Sequence, residues 1–496
     1  MFSCPLFYFF WQFLIFLVRR WNLALMAAFW GNFCYNPAMN KSRIFKLLFL
    51  LIFLISSGLR LGLVLVDRDS NAVIDIILRQ NRLPVTNECE ECFQPKLYYY
   101  FAAKAIEIGN INLNHKGSIA LALQLMNFAA GEAVIVLAYL LIKDLDAHFE
   151  HVGVIAFALA AFNPALMATS SWTENDTFAI LFSSIAIYIF WKYLRTNGVG
   201  WLAVSGLFVS ISLATKTNTW STALAIILIL LVKALSDRRL FNTLAVVIFT
   251  LAVPLLTLLN PLSQYWTNIR QFGTPITLNV PPEPFPSLFE KTYVRRPGII
   301  SIQDGFFTFK FLDLLRSPRL TLGATDYNPF RTSFWADIYG TANSLHFFNS
   351  PDSWHTRPDF ETTRSIFVLA LLPTVLLVLG CILGWVDLLK SLISRSGDLL
   401  RQRHFGLFDV VAIGYVLATI ALALRYRDFS TINAKYMYPG ILAFIFLFIE
   451  GAGAFYKFLS SRTRWITILF EVALFLLIVA YSMDTYHMIV HLYSIL

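Results

Sequence analysis

Charge is what this sequence has least of. Asp, Glu, Lys and Arg make up 14% of its 496 residues and hydrophobic residues 57%, whereas a soluble domain carries about 25% charged residues. A water-soluble globular chain is thereby excluded. Cysteine is scarce too, five residues of which only Cys89 and Cys92 lie close together, so no disulfide framework is expected. That CEEC pair leaves a local disulfide or two free thiols, because no second CxxC or HxxxH completes the ligand set of a zinc site. Also missing are the strict ten-residue alternation of barrel strands, a glycine-rich nucleotide fingerprint and the repeated halves of many transporters. The net charge is +9, yet the basic residues fall between apolar runs, so nucleic acid is not an expected partner.

What is present is a succession of long apolar runs, at 44–66, 117–142, 152–170, 176–194, 199–215, 217–234, 240–259, 364–388, 407–424, 437–456 and 465–488. A bilayer-crossing helix needs roughly 17–25 such residues, and in hydrocarbon a helix satisfies its own backbone. The expected fold is all-α, a polytopic transmembrane bundle of eleven spans, integral and multi-pass. With the 44–66 span starting in the cytoplasm, the cytoplasmic connections carry sixteen Lys and Arg and the short opposite ones ten. This bias places 67–116 and the long 260–363 segment outside. Four parts follow: 1–43, an N-terminal extension or interfacial segment; 44–259, a transmembrane module containing the first outer loop 67–116; 260–363, a long outer loop; and 364–496, the C-terminal helices. In the first part the apolar run 5–18 is short for a span, and "MNKSRIFKLLFLLIFL" from Met39 reads like a natural beginning.

Each outer segment is expected to bear surface helices. "NAVIDIILRQ" is dense in apolar residues, and "PKLYYYFAAKAIEIG" repeats Leu97, Tyr100, Phe101, Ala105 and Ile108 at helical spacing. Aromatics beside amides and carboxylates hold sugar rings by stacking and hydrogen bonds. Gln94, Tyr98 and Tyr99 in the first segment, Trp335 and Asp337 in the second, and Glu174 in a short turn are therefore candidate substrate contacts.

Asp67 and Asp69 follow the first span in "LVLVDRDS". A partly desolvated carboxylate there can act as a general base; the alternative is a solvated loop start. In "TSSWTENDTF" Thr173 reads as an N-cap and Asp176 as a first-turn acid, ordinary capping unless Asp176 faces a shared cavity. Lys216, Arg425, Arg427 and Lys435 lie on the side that the charge bias depletes. Together they suit a phosphate, although each alone could snorkel to headgroups. Within spans, Arg60 and Glu132 either pair or line a cavity.

"GLRLGLVLVDRD", "RLPVTNECEECFQPKLYYYFAAKAIEIG", "NPALMATSSWTENDTFAILFSSIAIYIFWKYLR" and "GLFVSISLATKTN" resemble, in order and spacing, the GT-C glycosyltransferases related to protein O-mannosyltransferases and to the aminoarabinose transferase of lipid A. The resemblance spans residues 44–275, and "NIRQFGTP", "SFWADIYG" and "AKYMYPG" extend it to later outer loops. It implies an enzyme that takes a sugar from a polyprenyl-phosphate donor on the non-cytoplasmic side, with inversion, and passes it to an acceptor protein, lipid or glycan. Asp67 or Asp69 corresponds to the active-site acid of the first outer loop, Asp176 to the acid opening the fourth span, Lys216 to the lysine of the next turn. Arg425, Arg427 or Lys435 corresponds to the late basic element. Lys96 departs from the family's second proline, and Asp-Arg-Asp from its usual Asp-Glu pair. No cofactor is expected; a divalent ion stays open as an alternative, although no ligand cluster demands one. A bacterial plasma membrane is favoured over the endoplasmic reticulum. A transporter of an anionic solute and an inactive GT-C homologue are the alternatives.

Overall fold

The computed structural model describes residues 41–66, 71–86, 88–89, 91–145, 150–237, 240–276, 302–316, 333–344, 360–394, 405–426, 433–460 and 464–495. Residues 1–40 of the N-terminal segment, Asp67, Asp69 and Arg427 lie outside the described residues, and Arg425 is described for its backbone only.

Every regular element among the described residues is helical. In chain order they are α1 Lys41–Val66, α2 Ala72–Gln80, α3 Leu97–Ile108, α4 Lys116–Asp144, α5 Glu150–Ala161, α6 Pro164–Ser171, α7 Asp176–Thr196, α8 Val199–Thr215, α9 Trp220–Asp237 and α10 Leu240–Leu259. Then come α11 Tyr265–Phe272, α12 Ile302–Phe306, α13 Phe311–Arg316, α14 Phe334–Asn343, α15 Phe360–Ser394, α16 Phe405–Tyr426, α17 Ile441–Ser460 and α18 Arg464–Ile495. Short 3-10 turns occupy Thr217–Thr219, Pro261–Ser263 and Ala434–Gly440.

Among the described residues eight helices are long and apolar enough to cross a membrane, nine if the bent pair α5 and α6 counts as one span. The apolar runs at 199–215 and 240–259 give shorter apolar stretches, Val199–Thr215 and Val247–Leu259. The bend in the 152–170 run is 45° and has a local cause. Pro164 has no N–H to continue the ladder, and Asn163 caps the new helix by accepting from Leu166 N at 2.9 Å. In the bundle α7 packs between α4 and α8, α9 lies on α10 and α16, α15 lies on α17 and α18, and α1 touches α4, α5, α6 and α18.

Arg60 and Glu132 pair with each other, which resolves the two readings of these intramembrane charges. Arg60 is fully buried and also donates to the Ala161 carbonyl at 3.2 Å, while Ser57 Oγ donates to Glu132 at 2.6 Å. The guanidinium thus ties α1 to α4 and α5 with its charge satisfied, as a charge in hydrocarbon requires.

At the end of the bundle that the charge bias puts outside, α2 and α3 form a separate small core with Cys92, Ile119 and Leu123. Cys89 and Cys92 are joined as a disulfide, Cα atoms 5.0 Å apart. The pair is fastened to the 261–263 turn by Lys96 N–H donating to Leu262 O at 2.6 Å, a bond that a proline at this position could not make. Tyr98, Tyr99, Ala102, Ala103 and Ile106 of α3 are buried in this core, with the small alanines permitting close packing on α2. The stripe that spacing picks out turns away from the core, Phe101 60% and Ile108 81% exposed, the side that a helix lying on a bilayer turns to lipid.

Lys96 itself is sealed from solvent, its ammonium donating to the Cys92 carbonyl. Burial lowers it to about 7, with Glu91 and Glu88 opposing. From about pH 7 up to its unfolded value near 10.5, the open segment holds a proton that the packed one has released. Stability of the helix pair therefore rises with pH across that window, by up to about 1.4 kcal/mol per unit. Hydrogen-exchange protection of α3, corrected for intrinsic rates, should increase from pH 7 to 9. Lys96→Met should remove that increase; a slope retained in the variant would assign it elsewhere.

Candidate active site at the outer end of the bundle

Four residues, Trp172 to Asn175, connect α6 to α7, and side chains from several elements hold this turn. Asn127 of α4 donates to the carbonyls of Trp172 and, at 2.9 Å, Glu174; Tyr98 OH donates to Thr173 O at 3.0 Å. Asn71, the N-cap of α2, reaches the same Thr173 carbonyl at 3.5 Å. Asn175 sits at the N-cap position of α7, and its amide donates to Thr215 O at 2.8 Å. The N-cap position is therefore Asn175, two residues beyond the expected Thr173.

Asp176 opens α7, but its carboxylate is not simply a first-turn acid. Lys216 Nζ lies 2.6 Å from Asp176 Oδ2, with the two side chains 6% and 2% exposed. Lys216 is delivered there because α8 ends at Thr215 and Lys216 takes an extended conformation before the 217–219 turn. Lys435 comes from the other side on the Ala434–Gly440 turn, whose first residues are fixed by Asn433 Oδ1 accepting from Lys435 N at 2.9 Å and by Ala434 N donating to Thr341 Oγ1 at 3.0 Å. Its Nζ is 3.1 Å from Glu174 and 3.8 Å from Asp176 Oδ2, over the Trp172 ring at 5.1 Å from the centroid. Asn218 donates to Tyr436 O at 3.2 Å and links the two lysine-bearing turns.

Residues 174, 176, 216 and 435, distant in sequence, thus form one alternating cluster of carboxylates and ammonium groups. Burial pushes the Glu174 carboxyl above the usual carboxylate range, Lys435 opposing and the charges of Glu91 and Asp176 adding. Since its side chain remains 27% exposed, this rise is smaller than a sealed carboxyl would show. A carboxylate whose affinity for protons is raised beside one held by a lysine suits proton transfer, and Lys435 retains a further N–H for an incoming anion.

Of the other sequence candidates, Tyr98 buttresses the turn, Tyr99 OH donates to Glu91 at 3.0 Å, and Gln94 is half-buried at the start of α3. Trp335 and Asp337 open α14, which docks on the Lys435 turn through Thr341. Trp335 is 40% exposed and its indole donates to Phe306 O at 3.0 Å, while Asp337 is buried. Sequence reasoning passed over Asn71, Asn127 and Asn175, the amides that shape the turn; a polar residue recurring at the outer ends of apolar runs was the available signal.

Residues 97–259, which carry Glu174, Asp176 and Lys216, match the family profile described as dolichyl-phosphate-mannose-protein mannosyltransferase. None of the curated proteins matches the chain. Two solved structures of the Archaeoglobus fulgidus oligosaccharyltransferase are similar. The complex with Zn and sulfate shows 15% identity over 88% of this chain and 53% of that one, TM-score 0.45. The form tethered with an acceptor peptide containing the NVT sequon via a disulfide bond shows 12% identity over 89% and 54%, TM-score 0.38. The chain spans about half the length of these proteins, and likeness at such scores fixes neither fold nor function.

Proposed function

We propose that this chain, whose residues 97–259 match a mannosyltransferase profile, is a GT-C membrane glycosyltransferase that moves a sugar from a polyprenyl-phosphate donor to an acceptor hydroxyl at the outer face. The observation that carries this reading is the cluster in which Lys435 lies 3.1 Å from Glu174 and Lys216 lies 2.6 Å from Asp176. In the proposed step the acceptor oxygen attacks the anomeric carbon and its proton passes to Asp67 or Asp69. The bond from the anomeric carbon to the phosphate oxygen breaks, the electron pair leaves with the lipid phosphate, and the configuration inverts. Asp69 precedes by two residues Asn71, whose amide is bonded to the 172–175 turn. Lys435, the more exposed of the two lysines, meets the charge gathering on the phosphate, with Arg425 in the last turn of α16 and Arg427, which follows it in sequence, as the further candidates. Lys216, buried against Asp176, serves behind it as the counter-ion that keeps that carboxylate ionised.

Wild-type protein in lipid nanodiscs, supplied with polyprenyl-phosphate mannose, should release or transfer the sugar. Lys435→Met should raise the donor KM at least about tenfold, the loss of one charge-assisted hydrogen bond. A donor KM that stays at the wild-type value would remove Lys435 from phosphate binding. Uptake of an anionic solute into liposomes without sugar release would replace the transferase by a transporter.

A further inference from the structure

The CEEC loop has a use beyond fastening the outer helices. Glu91 lies inside the four-residue disulfide loop, closed by Cys92 N donating to Cys89 O at 3.0 Å. One of its carboxylate oxygens, Oε2, accepts from Tyr99 OH and from Asn71 Nδ2, both at 3.0 Å. The same Asn71 amide reaches Thr173 O, so Glu91 is joined through one side chain to the residue just before Glu174. Two donors on a single oxygen orient the carboxylate and leave Oε1 for another partner.

Two further groups point to a ligand beside it. Thr173 Oγ1, in a residue 1% exposed, has no hydrogen-bond partner among the described residues. Neither does the amide of Gln124, fully buried one helical turn outward of Asn127 on the same face of α4. Buried polar atoms are seldom left unpaired. Thr173 stands in a turn whose backbone is already bonded and which Asn71 joins to a carboxylate with an oxygen to spare, and Gln124 shares the face of α4 whose Asn127 holds that turn.

We propose that Glu91 is a specificity-determining residue of the acceptor side. Its Oε1 accepts a hydrogen bond from the acceptor next to Glu174, in a position set by the Cys89–Cys92 bridge. The inference rests on the transferase reading. Among the described residues Asp176 engages Lys216 and Glu174 engages Lys435, while the cation acting on Glu91 is the buried Lys96. An ionised carboxylate oxygen with room for a partner accepts from a neutral hydroxyl and repels a phosphate.

The test uses the whole chain in nanodiscs with polyprenyl-phosphate mannose. Three acceptors are compared: a threonine peptide, its phosphothreonine counterpart with a second free threonine, and methyl α-mannoside. Glu91→Gln should raise the KM of the neutral acceptor that the wild type uses about tenfold, from the loss of a charge-assisted hydrogen bond. Donor KM should move less than twofold, and the preference for the unphosphorylated peptide should narrow. The Cys89→Ser, Cys92→Ser double variant should reproduce these changes. Glu88→Gln should not, since Glu88 is engaged at the surface by Arg82. Which neutral acceptor is consumed tells a protein hydroxyl from a sugar hydroxyl. An unchanged acceptor KM in Glu91→Gln, or equal changes in donor and acceptor KM, overturns the proposal. A wild type that hydrolyses the donor in water without acceptor keeps the transferase reading alive in that event; one that neither hydrolyses nor transfers ends both.

Discussion

Asp176→Asn is expected to abolish sugar transfer and, unlike a simple active-site change, to destabilise the protein by about 3–5 kcal/mol, the cost of leaving one partner of a buried pair uncompensated. The reason lies in the burial of both partners, 2% for Asp176 and 6% for Lys216, at a separation of 2.6 Å. An asparagine leaves the Lys216 ammonium in a site with almost no water, and Lys435, turned mainly toward Glu174 at 3.1 Å, adds a second positive charge with one carboxylate fewer to balance it. Removing the lysine as well should reverse much of the loss. Asp176→Asn with Lys216→Met is therefore expected to recover most of the wild-type thermal midpoint in nanodiscs while remaining inactive. Full activity in Asp176→Asn would falsify the role given to this cluster, and a double variant no more stable than the single one would show that the pair is not a unit.

How far such a site can be read from a linear sequence depends on which physical signal each part leaves. The spans leave the strongest, since a bilayer demands long apolar helices, and the runs around 44–66, 117–142 and 465–488 reappear in Ile44–Val66, Lys116–Asp144 and Trp465–Ser494. Where the signal was length alone, it overran the structure: the 152–170 run is two helices meeting at Pro164. Surface helices were legible as elements, α2 and α3 falling within the first outer segment. In α3 the stripe read from spacing leaves Phe101 and Ile108 exposed, while the small core on the other side, with Tyr98, Tyr99 and Ile106, was not legible because its partners come from α2 and α4. Charged residues in or beside spans stood out because their burial needs a reason, and Asp176, Lys216 and Lys435 do meet. Their partners could not be assigned in advance. That Lys216 faces Asp176 rather than open space depends on where α8 stops and on Asn175 reaching Thr215 O. Likewise the pairing of Cys89 with Cys92 was one of two readings, and the placement of Glu91 beside Asn71 follows from the closed loop.

A pair of alanine substitutions outside the lysine–carboxylate cluster should disturb this site as strongly as a change within it. Gly380 on α15 and Gly451 on α17 face each other across the helix crossing. A Cβ built on Gly380 would stand 1.9 Å from Leu447 O, and one on Gly451 1.9 Å from Leu376 O. An ordinary carbon–oxygen contact is about 3.3 Å or more, and the obstacle here is helix backbone, which cannot rotate away as a side chain can. Gly380 and Gly384 also form the GxxxG spacing that lets membrane helices approach closely. Gly380→Ala with Gly451→Ala must therefore part the two helices, with an expected loss of about 3 kcal/mol or more, at the upper end of overpacking costs. The wedge does not stay local, because α17 continues directly from the Ala434–Gly440 turn that carries Lys435. Donor KM should rise along with the fall in thermal midpoint. Gly58→Ala is the control: no atom outside its own helix lies within 4 Å of a Cβ there, so the same chemical change should be neutral or stabilise slightly. Equal behaviour of the two sites would mean that the close approach of α15 and α17 is not what sets the position of Lys435.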